Sequence, residues 1–229
     1  MIASEGAKPV AIDRRVRKTR RQLQQALVDL VAEHPYEDLT IEAITERADV
    51  ARATFYSHFK DKDGLLESVA AQLIEDLLGE LMPGASTDDR IHGQAVLGLY
   101  RHAARNRHLY RTLLAGAGDG RPLSQVSSVL TAAMTANFQA RIDHFAVTPR
   151  VPLPIMARAW VGSHLSLVSW WLHSPEEYTA EQMALMQLRM DVHGLRWGHG
   201  LEPGQIHLDE EAVTAAVALD SHAGQDGAA

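Results

Sequence analysis

An all-α fold, with a small three-helix N-terminal part followed by a larger helical part, is what the sequence predicts, on three observations. Apolar residues recur three and four apart through most of the chain, which places them on one face of a helix. No strand-rich region interrupts this pattern. Pro35, Pro83 with Gly84, the run from Gly116 to Gly120, and Pro149, Pro152 and Pro154 punctuate the periodic segments. The chain has 229 residues, 46% of them hydrophobic, enough for a large domain, or a small one plus a larger one, with a real core.

Composition removes several classes of function. There is no cysteine, so a disulfide scaffold, a thiolate metal site and a cysteine nucleophile are all excluded. No apolar stretch approaches the roughly 20 residues of a membrane span, and no apolar run follows the N-terminal charges as in a secretory signal. A soluble, cytoplasmic protein without a membrane segment is expected. The net charge of −7 is unevenly placed. Residues 1–62 hold 11 basic and 10 acidic side chains, a net of +1, and residues 63–229 hold 11 and 19, a net of −8. Lys8, Arg14, Arg15, Arg17, Lys18, Arg20 and Arg21 crowd one stretch in which Asp13 is the only acid. Such asymmetry suggests an end that faces nucleic acid or a membrane, the alternative being a solvated basic tail.

Residues 13–34 read as the first helix, with Leu23, Leu27, Leu30 and Val31 on one face and Pro35 as its stop. Residues 36–39 connect it to a second helix over about residues 41–48. Thr40 is placed to cap that helix, since its hydroxyl can accept a free N–H of the first turn. Ile41, Ile44 and Ala48 share a face. Asp49 follows where a tight turn needs positive φ, a conformation Asp tolerates better than most residues. A third helix is expected over about residues 51–59, giving a short capped helix, a tight turn and a second short helix, which is helix-turn-helix spacing.

That third segment, ARATFYSHF, mixes aromatic and polar residues for a physical reason. Phe55 and Phe59 are four apart and share a face, so they can hold a two-turn helix that would be unstable alone. Arg52, Thr54, Tyr56, Ser57 and His58 are left on or near the outer side. Arg can pair with guanine through two hydrogen bonds, and a Thr methyl can touch thymine. Lys60 and Lys62 sit just beyond, where phosphates would pass.

TIEAITERADVARATFYSHFKDKDGLLE, residues 40–67, resembles the DNA-binding signature of the TetR family of bacterial transcriptional regulators. The likeness lies in the Thr-capped helix, Thr54 and Tyr56, the His58–Phe59 pair, Lys60 and Lys62, and the Leu65–Leu66 start of a long helix. It covers about residues 13–70, with Asp49 where glycine is frequent and Gly64 where an acid often stands. The resemblance implies a third helix lying in the DNA major groove. Arg52, Ala53 and Thr54 would face base edges. Tyr56, Ser57 and His58 would contact phosphates or flanking bases. Lys62 and Lys60 would grip the backbone, and Thr40 would bond a phosphate, which a helix N-terminus favours independently. Arg14, Arg15 and Arg17 would form an arm to the minor groove or neighbouring phosphates. The domains expected are a helix-turn-helix DNA-binding domain over 10–62, a helical effector-binding and dimerisation domain over 63–200, and a mobile tail over 201–229.

The remaining elements follow the same periodicity. Helical segments are expected over 63–81, ended by Pro83 and Gly84, over 88–115, over 122–147, over 155–173 and over 180–197. Gly116 to Gly120 reads as a flexible break, and a short helix is expected at 209–219 within the tail. Segment 155–173 is apolar almost all round, so both of its sides need cover. The resemblance implies that 155–173 and 180–197 supply the interface of a homodimer, which would space two reading helices by a helical turn, about 34 Å, or a multiple. It also implies a pocket for a small hydrophobic or amphipathic effector. Tyr100, Tyr110, Phe138, Trp160, His164, Trp170 and Trp171 are the candidate lining groups, with plain core as their alternative.

A ligand-released repressor of a palindromic operator is therefore expected, with a helical small-molecule-binding or scaffold protein lacking specific DNA binding as the alternative. No cofactor and no metal are expected. The twelve histidines include no H-E-x-x-H, although His92, His102, His108, His164 and His173 fall in helical segments that could converge. An enzyme is not expected, because GAGDG at 116–120 lacks the Lys-Ser/Thr of a phosphate-binding loop.

Overall fold

A computed structural model describes residues 9–81, 91–174 and 178–194, and the side chains of these apart from 9–13 and 91–92. Among the described residues there are nine α-helices and no strand. They are α1 (Pro9–Glu33), α2 (Ile41–Arg47), α3 (Arg52–His58), α4 (Lys62–Leu81), α5 (Ile91–Arg105), α6 (Arg107–Leu114), α7 (Arg121–Phe145), α8 (Leu153–His173) and α9 (Ala180–His193). A single 3-10 turn, Tyr36–Asp38, joins α1 to α2. The described residues up to Gln187 pack as one compact unit.

The N-terminal part is assembled from one apolar face per helix. Leu23, Ala26, Leu27, Leu30 and Val31 of α1 are buried, and α2, α3, α4 and α6 all pack on α1. Ile44 of α2 and Phe55 of α3 are fully enclosed. Thr40 caps α2 by accepting the Ala43 N–H at 3.1 Å. Asp49 adopts φ 52° between α2 and α3, so the turn uses the left-handed conformation that its sequence position suggested.

α4 is the element shared by the two parts of the fold. Leu65, Leu66, Val69, Leu73 and Leu77 are buried along it, and it packs on α1 at one side and on α5 and α7 at the other. α7 and α8 pack on one another, and α8 also meets α5 and α6. Gly98 lets α5 pass close to α4, because a Cβ there would lie 2.8 Å from Leu81 Cδ2.

Two expectations change in the larger part. The segment 88–115 is two helices rather than one, divided at Asn106, whose side-chain amide donates to the His102 carbonyl at 3.0 Å. The Asn106 backbone N–H donates to the same carbonyl at 3.1 Å, but its φ of −109° and ψ of 32° leave the helical region and end α5, while its carbonyl accepts the Tyr110 N–H at 3.0 Å and begins α6. The expected break at 116–120 is a compact turn with positive φ at Gly116, Gly118, Asp119 and Gly120. It buries Ala117 and brings Gly118 so near Leu66 that a Cβ would lie 3.2 Å from Cδ2. Pro83, Gly84, residues 195–197 and the tail with its helix at 209–219 lie outside the described residues.

Candidate nucleic-acid interface

α3 shows how a seven-residue helix is held while keeping a polar face free. Phe55 is 0% exposed and Phe59 is buried beside it, their ring centres 5.9 Å apart. Tyr56, one residue on, is 50% exposed and meets the edge of Phe55 at 5.5 Å. Arg52, Ala53, Tyr56 and Ser57 are all exposed, and the Arg52 guanidinium lies 6.0 Å from the centre of the Tyr56 ring. This face offers one guanidinium, one phenol and one hydroxyl within two helical turns. The Ser57 hydroxyl also donates to the Thr54 carbonyl at 2.7 Å, which orients its lone pairs.

Thr54 and His58 are half-buried and lie on a different side of α3. With Arg15, Val16, Thr19, Asp49, Val50 and Ala51 they line a hollow of about 470 Å3 between α1 and the turn. Arg14, Arg15, Arg17 and Lys18 are exposed on α1 next to it. The basic stretch from residue 14 is thus part of a continuous helix rather than a loose arm. Thr40 is exposed at the α2 N-terminus, its lone pair engaged by Ala43 and its O–H available as a donor.

Lys60 and Lys62 separate in role. Lys60 is exposed. Lys62 points inward: its ammonium donates to the carbonyls of Tyr36 at 2.7 Å and Leu39 at 2.9 Å, with Glu37 at 3.4 Å, and lies 4.3 Å from the Tyr36 ring centre. An ammonium has three donors, and here all are directed at the 3-10 turn, so the grip on a DNA backbone expected of Lys62 is not the contact it makes. Beside it the Tyr36 hydroxyl donates to Asp63 at 2.5 Å. Burial and then the Asp63 carboxylate push the Tyr36 phenol well above its ordinary value.

Arg20 was legible in the sequence only as one more basic charge. Its guanidinium donates to the His58 carbonyl at 3.2 Å and to Ser68 Oγ at 3.1 Å, and lies 4.4 Å from the Phe59 ring centre. Gln24 donates to Ser68 Oγ at 2.9 Å. The C-terminus of α3 is therefore tied through α1 to α4. The available signal was position: Arg20 stands three residues before Leu23 and seven before Leu27, on the buried stripe.

The seven aromatic and histidine candidates of the larger part differ in their burial and neighbours. Tyr100 and Trp171 are buried edge to face at 5.4 Å. Tyr110 is buried with His102, its hydroxyl 3.0 Å from Nδ1. Trp160 stacks on buried His164 at 3.6 Å, and the His164 Nδ1–H donates to the Trp160 carbonyl at 2.8 Å. Phe138 is half-buried on α7, whereas Trp170 is 46% exposed on the outer side of α8.

Residues 24–69 match the family model described as bacterial regulatory proteins, tetR family. The HTH-type transcriptional regulator YxbF of Bacillus subtilis is 35% identical over 89 residues, 38% of this chain and 23% of that protein. BetI of Klebsiella pneumoniae, also named an HTH-type transcriptional regulator, is 38% identical over 85 residues, 34% of this chain and 43% of that protein. The likeness to these curated relatives thus spans less than half of their length. Among solved structures, a TetR-family regulator from Syntrophomonas wolfei superimposes with a TM-score of 0.68 at 19% identity, over 82% of this chain and 99% of that one. FadR of Bacillus subtilis, solved with stearoyl-CoA, gives 0.63 at 17% identity, over 76% and 98%. At those identities the structures speak for the fold.

Proposed function

Because this chain belongs to the tetR family of bacterial regulatory proteins, we propose that it is a transcriptional regulator which binds a palindromic operator as a homodimer and represses until a small effector releases it. The observation that carries the reading is the polarity of α3: two aromatic rings lock one side inward while Arg52, Ala53, Tyr56 and Ser57 stand exposed on the other. Arg52, Ala53 and Thr54 read base edges; Tyr56, Ser57 and His58 touch phosphates or flanking bases; Thr40 and Lys60 hold the backbone. Lys62 holds the turn from which Thr40 is presented.

Dimerisation is supported by the outer side of α8. Ile155, Ala159, Gly162, Ser163, Ser166 and Trp170 are exposed at helical spacing, small residues between two large apolar ends, and Leu185 of α9 is exposed as well. Small side chains let a second helix approach closely. The expected surface is this stripe rather than the whole circumference of α8, since Val161, Leu165, Val168 and Leu172 face the core.

The effector is of the hydrophobic or amphipathic class, and the stearoyl-CoA of the FadR structure is an amphipathic molecule held by the same fold. Tyr100, Phe138, Trp160, His164 and Trp171 remain its candidate neighbours. Release acts through α4, which touches both parts and carries Ser68 to the Arg20 link. An effector shifts the equilibrium only by binding the released state more tightly. Fluorescence anisotropy on the DNA upstream of the gene, with random duplex as competitor, tests the reading. Competitor-resistant binding lost in Tyr56→Ala supports it; binding removed equally by any duplex assigns the chain to non-specific or scaffold roles.

A further inference from the structure

A second, chemically distinct cleft lies where the N-terminal part meets the body. It holds about 400 Å3 and is bounded by the end of α1 and the 3-10 turn on one side, by α6 and the residues after it on another, and by His173 at the end of α8. Val31, Ala115 and Ala117 give it apolar walls. Its polar lining holds the imidazoles of His34, His108 and His173, the Arg111 guanidinium, the Thr112 hydroxyl and the carboxylates of Glu33 and Glu37. Two of the histidines singled out in the sequence, His108 and His173, are brought to the same cleft, and they are joined by His34 from the other part of the fold.

Of the two acids in the lining, Glu33 and Glu37, one is neutralised from outside the cleft, and His34 Nε2 also lies 4.0 Å from Glu33. Glu33 is engaged by Arg47 through two bonds of 3.0 and 2.6 Å, which hold its carboxyl below the ordinary value. Glu37 is the other acid at the rim. Arg107, on α6 next to His108, donates to the Leu172 carbonyl at 2.7 Å. Among the described residues the side chains of Arg111 and His108 have no hydrogen-bond or charge partner. His173 donates Nδ1–H to the Ser169 carbonyl at 2.8 Å; a carbonyl only accepts, so Nε2 is the ring atom left for the cleft.

We propose that this cleft binds a small organic dianion, a phosphate ester or a dicarboxylate, with Arg111 as the anchoring cation, His108 as a flanking donor, His173 Nε2 at its edge and Val31, Ala115 and Ala117 against its carbon skeleton. Arg is suited to this because its planar fork meets two oxygens at once. The ligand touches the end of α1 and the body together, so it biases how the reading head is held. That consequence rests on the DNA-binding reading; the binding itself does not.

The test uses the full chain, with inorganic phosphate and succinate as probes at constant ionic strength. Titration is followed by calorimetry and by the ring resonances of His108 and His173. Saturable binding that shifts both rings, weakened about tenfold or more in Arg111→Ala, as expected for loss of a charge-assisted pair, and unchanged in Arg14→Ala, supports the site. Whichever probe binds more tightly fixes the head group. Absence of saturable binding by both probes overturns it, as does binding that survives Arg111→Ala but is lost in Arg14→Ala, which would place the anion on the basic stretch of α1. Arg111 is exposed, so its variant should fold, and the ring shifts of the unaltered protein provide an independent reading. Anisotropy on DNA, run separately, distinguishes failure of this site from failure of the regulator reading.

Discussion

Lys62 donates to the Tyr36 carbonyl at 2.7 Å while its ammonium lies 4.3 Å from the centre of the same residue's ring. One side chain thus satisfies the end of the 3-10 turn and makes a cation–π contact with the residue that begins it. Lys60, two residues earlier, makes neither contact and is exposed. The two lysines should therefore separate on mutation. Lys62→Ala should lower unfolding free energy by about 1–3 kcal/mol, because buried carbonyls lose charged donors, as read in urea denaturation. Lys60→Ala should leave that curve unchanged and reduce the salt slope of DNA binding by about one. Equal stability of the two variants would remove the structural role of Lys62.

The neighbouring aromatics of α3 should divide in the same way. Phe55→Ala empties a fully enclosed site and is expected to cost about 3–5 kcal/mol. Tyr56→Ala removes a half-exposed ring and should stay within about 0.5–1 kcal/mol of the parent, yet abolish specific DNA binding in anisotropy. Specific binding by a folded Tyr56→Ala protein would show that the exposed face of α3 does not read DNA.

Asp49 holds φ 52°, which a β-branched residue resists by about 1–2 kcal/mol or more. Asp49→Val should destabilise by that order in thermal unfolding, and Asp49→Gly should be neutral or stabilising. The reverse ranking would mean that the turn has another backbone conformation in solution.

Gly162 stands on the outer stripe of α8, where an added Cβ meets nothing within 4 Å. Gly162→Arg should therefore leave the protomer folded by circular dichroism. In sedimentation it should convert a dimer into a monomer, because the new side chain occupies the space a partner helix needs. An unchanged dimer would locate the interface elsewhere.

Burial holds the His102 imidazole below its ordinary pKa, with Glu80 opposing and Arg105 adding to the effect. The folded protein therefore binds this proton less readily than the unfolded chain. The stability it contributes is present above the unfolded value, about 6.5, and declines as pH falls from there toward the lower folded value. His102→Gln should flatten the dependence of unfolding free energy on pH between about 5 and 7 relative to the parent. A steeper acid slope in the variant would mean that folding raises the pKa of His102 instead of lowering it.

The features written in the sequence are local ones. Helical spacing of Leu23, Leu27 and Leu30 places α1, Thr40 caps α2, Asp49 marks the turn, and the four-residue spacing of Phe55 and Phe59 fixes which side of α3 is inward, since each depends on neighbours within a turn or two. The break at Asn106 was hidden because a single residue that leaves helical backbone angles, with φ −109° and ψ 32°, is invisible to periodicity. The roles of the long side chains depend on how distant helices pack. Lys62 and Lys60 are equivalent as residue types, but the carbonyls of Tyr36 and Leu39 lie near one of them. Arg20 is one charge among seven until Ser68 and the His58 carbonyl, 48 and 38 residues away, come within reach. His34, His108 and His173 are likewise scattered in the chain and share a cleft only because α1, α6 and α8 bring them beside one another. Periodicity encodes which face of a helix is buried; the partner of a charged or polar group is set by packing between helices distant in sequence, which no local pattern records.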